Sequence, residues 1–165
     1  MERLLDNRTG KESTLRTNFS YCKKDCFLIF EFEAKDSALN SYSNENNDEQ
    51  YKGDVCEVFL DVGEEEYYEF EVAPNGTTFV AKIINGTPYF IDSSFFMSVV
   101  EKGFRSYKVK MVIDLTRFMP LETLKFNAFR IETKGVRQDL ILQAYSPTLS
   151  NTFHVRECFV NIPLL

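Results

Sequence analysis

Three glutamates, Glu57, Glu69 and Glu71, lie in two neighbouring runs of strict alternation. In the first run Val55, Glu57, Phe59 and Asp61 share one face while Cys56, Val58 and Leu60 share the other. In the second, Tyr67, Glu69 and Glu71 oppose Tyr68, Phe70 and Val72. A period of two is the signature of a strand, so an antiparallel pairing of the runs puts the three carboxylates on neighbouring pleats of one mixed aromatic and acidic face. Carboxylates on adjacent strands can reach the separations of about 5–9.5 Å at which a pair acts on a glycosidic bond. Glu57, flanked on its face by Val55 and Phe59, would be costly to bury unpaired. Arg130, in another strand-like run beside Phe126 and Ala128, is the expected partner.

The elements that must position these groups are strands almost throughout. Sixteen Phe and eight Tyr in 165 residues favour pleated, half-buried surfaces, and nowhere does helical spacing persist for three turns. Strands are expected at Cys26–Glu33, in the two runs above, at Thr77–Ile84, Ser94–Lys102, Ser106–Leu115, Lys125–Thr133, Arg137–Ala144 and Glu157–Ile162. Thr14–Phe19 is an edge candidate within an otherwise irregular segment 1–17. Asn75-Gly76, Asn85-Gly86 and Lys134-Gly135 read as turns, and Thr116–Leu121 allows one helical turn before Pro120. About ten short strands in a chain of single-domain length predict an all-β antiparallel sandwich, immunoglobulin- or jelly-roll-like, over 1–165. The polar stretch from Lys35 to Gln50 leads straight to Tyr51 and Glu57 and is expected to be a binding loop.

These pieces, taken in order, resemble a family 9 carbohydrate-binding module of the stand-alone kind. The resemblance rests on the Asp54–Asp61 run with its Cys-Glu-Val-Phe core, on Tyr67–Val72 leading to Pro74, Asn75, Gly76 and Thr77, and on a C-terminal set. That set is Phe126–Arg130, Tyr145, Ser146 and Pro147, then Phe153, His154 and Phe159. It implies a sandwich that binds mono- or oligosaccharides without catalysis of its own, in association with glycan degradation and often with structural calcium. The family clamps a sugar ring between two tryptophans, and this chain has none. Tyr51, six residues before Glu57, and Tyr145 stand where those rings align and are the implied stacking platforms. Glu57 and Arg130 become hydrogen-bonding partners for hydroxyls, and His154 joins the site through the Phe-His match. Two other readings of the same residues remain: a degenerate interaction domain, to which the missing tryptophans point, and a glycoside hydrolase using paired Glu.

Charge and cysteines narrow the partners. The net charge of −6 repels phosphate backbones, so nucleic acid is not an expected partner. No apolar run approaches the length of a membrane span. Calcium ligands would come from Asp48, Glu49, Asp61, Glu64, Glu65 and Glu66, although no loop shows a fixed ligand spacing. Cys22, Cys26, Cys56 and Cys158 form no framework, and Cys22 with Cys26 is at most half a zinc site, so buried thiols are expected. Met1–Lys11 is polar and lacks the apolar stretch of a signal peptide. Read as written the protein is cytoplasmic, with secretion open if a signal has been removed.

Overall fold

The computed structural model describes residues 1–36, 38–133 and 140–164. Thirteen strands are present in them: β1 (Glu2–Arg3), β2 (Leu5–Asp6), β3 (Thr17–Lys24), β4 (Phe27–Lys35), β5 (Val55–Asp61), β6 (Tyr67–Val72), β7 (Thr78–Ile84), β8 (Thr87–Phe90), β9 (Phe96–Gly103), β10 (Ser106–Asp114), β11 (Lys125–Glu132), β12 (Ile141–Ala144) and β13 (Val160–Asn161). One sheet runs β1-β3-β4-β10-β9. The other runs β2-β12-β11-β5-β6-β7-β8, with β13 also pairing to β11. All pairings are antiparallel.

The sandwich forms because each sheet carries one continuous apolar face. Phe19 of β3, Leu28, Phe30 and Phe32 of β4, and Tyr107, Val109, Met111 and Ile113 of β10 meet Cys56, Val58 and Leu60 of β5, Phe70 of β6 and Phe126 and Ala128 of β11. Each large side chain so buried contributes about 1.5–3 kcal/mol. The outward face of the first sheet is mixed: Lys108 pairs with Glu33 and Lys110 with Glu31, beside the exposed Met97 and Val99. Apolar residues on both faces of β4 were expected from its composition. Instead Leu28, Phe30 and Phe32 are buried while Phe27 is exposed, because nothing covers that side.

The second sheet differs: all seven residues of β5 are buried. Its outer face carries a second cluster of Val55, Phe59, Phe129, Ile131, Leu142, Phe153 and Phe159, roofed by the C-terminal segment. Three departures from expectation concern edges and turns. The segment 1–17 supplies an edge strand to each sheet rather than staying irregular. Asn85 and Gly86 both take positive φ in the β7–β8 turn, whereas of Asn75 and Gly76 only Gly76 does. The one-turn helix is of the 3-10 type, at Leu115–Phe118. The turn expected at Lys134-Gly135, with the start of the strand expected from Arg137, lies outside the described residues.

Candidate functional site

The register of β5 and β6 places Glu57 opposite Glu71 and Phe59 opposite Glu69, so all three carboxylates project from the outer face of the second sheet, as their alternation requires. One oxygen from each lies within 4.8 Å of the others. They form the floor of a cavity of about 510 Å³ walled by Tyr51, Phe79, Ile83, Ile131, Leu142, Phe153 and His154, with Arg8 and Asn151 at the side.

Tyr51 is delivered by the polar loop. Asn46 and Asn47 accept from the backbone amides of Thr78 and Val80, Asn75 donates to the Ser43 carbonyl, and the buried Gln50 donates to the Glu45 carbonyl at 2.6 Å. Asp54 anchors the far end, accepting from the amides of Asn40 at 2.6 Å and Thr133 at 2.7 Å. A 3-10 turn at Gln50–Lys52 then presents the Tyr51 ring, 45% exposed, with its hydroxyl donating to Glu49. Gly53 lets the strand pass so close to the loop that a Cβ there would stand 2.6 Å from the Tyr42 amide nitrogen.

The opposite wall comes from the C-terminal segment. Phe153 stacks on Phe129 with centroids 4.2 Å apart. The His154 ring lies 5.0 Å from that of Phe59, and its Nδ1 is 2.5 Å from the Tyr67 hydroxyl. Asn7 holds the preceding loop by accepting from the Thr148 amide and donating to its hydroxyl.

Electrostatically the floor is unusual. Glu57, Glu69 and Glu71 are 2%, 7% and 1% exposed, and no lysine or arginine is among the influences on their protonation. Burial, then the Glu69 charge, holds the Glu57 carboxyl well above the usual carboxylate range. Burial and the two neighbouring carboxylates do the same to Glu71. Glu69 is pushed up to about 7 by burial, against a hydrogen bond from Glu71. In the hydrogen bond between them Glu71 is the donor and Glu69 the acceptor. Among the described residues, Glu57 Oε1 and Glu71 Oε2 have no hydrogen-bond partner. Burial lowers the His154 pKa, keeping that ring neutral.

Two of the expected site residues are elsewhere. Arg130 does not reach Glu57, because Phe129 is the β11 residue opposite Glu57 and Arg130 projects between the sheets. There it is fully buried, donating to Asp36 Oδ2 at 2.7 Å, the Lys35 carbonyl at 2.6 Å and Thr17 Oγ1 at 3.0 Å. It is a cross-link between the two sheets. Tyr145 also lies on the inner side, stacked on Phe126 at 5.4 Å and beside Phe19 and Tyr21, so Tyr51 and Tyr145 do not face one another. Tyr51, Glu57 and His154 do share one cavity. Glu69 and Glu71 belong with them, and their parity with Glu57 was the available signal. The contribution of Phe79 had none, and Phe153 entered only as part of the Phe-His match.

Four of the six acidic residues considered for calcium, Glu49, Asp61, Glu64 and Glu66, are engaged by protein cations. Arg156 grips both oxygens of Asp61 at 2.8 and 2.9 Å, Lys82 pairs with Glu64 and Glu66, and Lys52 with Glu49. Among the described residues, Glu57, Glu69 and Glu71 are the one group of three side chains with metal-ligand spacing, and it includes neither Cys22 nor Cys26.

This sandwich has close structural counterparts. A candidate carbohydrate-binding protein of Bacteroides uniformis superposes with a TM-score of 0.79 at 16% identity, over 97% of this chain and 84% of that one. A family 9 carbohydrate-binding module from Caldicellulosiruptor kristjanssonii, in complex with glucose, superposes with a TM-score of 0.71 at 17% identity, over 96% and 81%. The fold is that of a family 9 carbohydrate-binding module. A Caldicellulosiruptor kristjanssonii family 9 module in complex with cellotriose gives 0.65 at 18% identity, over 87% and 71%. In sequence, a protein of Arthroderma benhamiae described as "Extracellular protein" is 27% identical over 175 residues, 89% of this chain and 78% of its own length. No family model matches the chain. No helix among the described residues is long and apolar enough to cross a membrane.

Proposed function

We propose that the outer-face cavity binds carbohydrate without transforming it. The observation that carries this reading is the juxtaposition, in one open cavity of about 510 Å³, of an exposed tyrosine ring with buried acceptor groups on a family 9 fold. Apolar walls with a few convergent polar groups are the usual make-up of a small-molecule site. A pyranose laid against Tyr51 removes enough apolar surface for about 1 kcal/mol, and hydrogen bonds to a charged carboxylate add about 1.5–3 kcal/mol each before ordering costs. The resulting affinity falls in the micromolar to millimolar range. On the far wall His154 takes the place first given to Tyr145. The half-buried Tyr67 phenol, whose pKa burial pushes up, shares a hydrogen bond with its Nδ1; with Tyr67 as the donor, the ring proton stands on Nε2 for a ligand.

The non-catalytic reading is favoured by the carboxylates themselves. One oxygen from each lies within 4.8 Å of the others, well inside the roughly 6.5–9.5 Å of inverting glycosidases. The name of the Arthroderma benhamiae relative supports a place outside the cell, where glycan is degraded, as the setting for this binding.

The test is calorimetric titration with a panel of neutral and amino mono- and oligosaccharides, repeated on Tyr51→Ala. Saturable binding, weakened about fivefold in the variant as expected for about 1 kcal/mol, supports the reading. Silence across the panel at millimolar sugar overturns it in favour of a domain that keeps the fold and has lost the ligand.

A further inference from the structure

We infer that the ligand of this cavity is cationic, an amino sugar whose protonated amine seats on Glu57, Glu69 and Glu71. The inference rests on the carbohydrate-binding reading and narrows its substrate class. A neutral sugar needs acceptors for its hydroxyls, but it does not need three carboxylates converging on one point. These three are each more than nine-tenths buried, and two of their oxygens, Glu57 Oε1 and Glu71 Oε2, have no partner among the described residues.

Unpaired carboxylates held out of water are costly. Among the described residues nothing offsets the cost: Arg8, the one described arginine lining the cavity, directs Nε to Asn151 Oδ1 at 2.7 Å and Nη1 to the Leu140 carbonyl at 3.2 Å. The cluster is thus a floor of acceptors without its donor. A primary ammonium carries three N–H donors, one for each carboxylate. The Tyr51 and Phe79 rings that border the floor supply the aromatic faces on which a cation is further stabilised. Calcium is the competing occupant and fits less well. It calls for six or more oxygen ligands, whereas much of the wall above the carboxylates is apolar, with Phe79, Ile83, Ile131 and Leu142 in it.

Seating the amine also changes protonation. Among the described residues the groups facing the cluster are Tyr51, Tyr67 and the neutral His154, with the Arg8 guanidinium turned to Asn151 and the Leu140 carbonyl, so an arriving ammonium displaces the protons that the crowded carboxylates hold and sends them to the buffer. A neutral sugar displaces none.

The experiment compares glucosamine, glucose and N-acetylglucosamine, three sugars with the same ring, by calorimetry near pH 7 with EDTA present, in two buffers of different ionisation enthalpy. A parallel titration uses calcium chloride alone. The expected result is glucosamine at least about tenfold tighter than glucose or N-acetylglucosamine, with a binding enthalpy that depends on the buffer and a preference that disappears in Glu71→Gln. Glucose bound as tightly as glucosamine overturns this inference and leaves carbohydrate binding standing. No sugar bound at all overturns both. Stoichiometric calcium binding lost in Glu71→Gln, without preference for the amine, overturns it in favour of a metal floor.

Discussion

Replacing Glu69 by glutamine is expected to stabilise the ligand-free protein at neutral and alkaline pH and to do little in acid. Folding lifts the Glu69 carboxyl from 4.5 to about 7, chiefly through burial. A carboxyl held up in the folded state binds its proton more tightly there than in the unfolded chain. The folded state is therefore unpenalised below the unfolded value and loses stability as pH rises through about 7. At about 1.4 kcal/mol for each tenfold change in proton affinity, full ionisation costs the native state about 3 kcal/mol. Glutamine keeps the shape and the hydrogen-bonding capacity, carries no charge, and also removes the Glu69 repulsion from Glu57 and Glu71. Urea denaturation from pH 5 to pH 8 is the assay. The variant should match the wild type within about 1 kcal/mol at pH 5 and exceed it by about 3 kcal/mol at pH 8, a rise of about 6–12 °C in melting temperature for a domain of this size. Taking the difference between the two proteins removes other titrations that act on both, among them that of His154, whose lowered pKa costs stability as pH falls, and that of Asp54, raised to about 6. A variant no more stable than wild type at pH 8, or a difference that does not change with pH, would refute the crowding argument.

Arg130→Ala strips the buried Asp36 of its cation and unties the two sheets; the unfolding free energy should drop by about 3–5 kcal/mol, and a loss below about 1 kcal/mol in urea would contradict the cross-link. Gly53→Ala forces a Cβ against the backbone of Asn40 and Tyr42 and should cost about 1–3 kcal/mol as an overpacking change, with Tyr51 displaced and sugar affinity reduced in the same titration. Unchanged stability together with unchanged affinity would show that the loop does not depend on that close approach.

Local pattern settled a good deal. Alternation in Val55–Asp61 and Tyr67–Val72 is enough to make strands, to sort Cys56, Val58 and Leu60 from Val55, Glu57 and Phe59, and to put Glu69 and Glu71 on one face of their own strand, because side-chain direction in a strand follows from parity alone. The Ser- and Asn-rich loop could be read as the carrier of Tyr51 for a similar reason: its side chains have little to bury and much with which to bond backbone. Parity within one strand cannot say which face of another strand it matches. That depends on register, and register across β5 and β11 is a property of the assembled sheet. Arg130 was therefore paired with Glu57 when it belongs to Asp36, and Tyr145 was set opposite Tyr51 when it packs on Phe126. The choice of which outer surface would be roofed by Phe153 and Phe159, and hence where a cavity would be left over the carboxylates, arises from contacts between residues far apart in the chain. Only the tertiary structure decides those, since burial is conferred by whatever packs above a face and not by the residues that compose it.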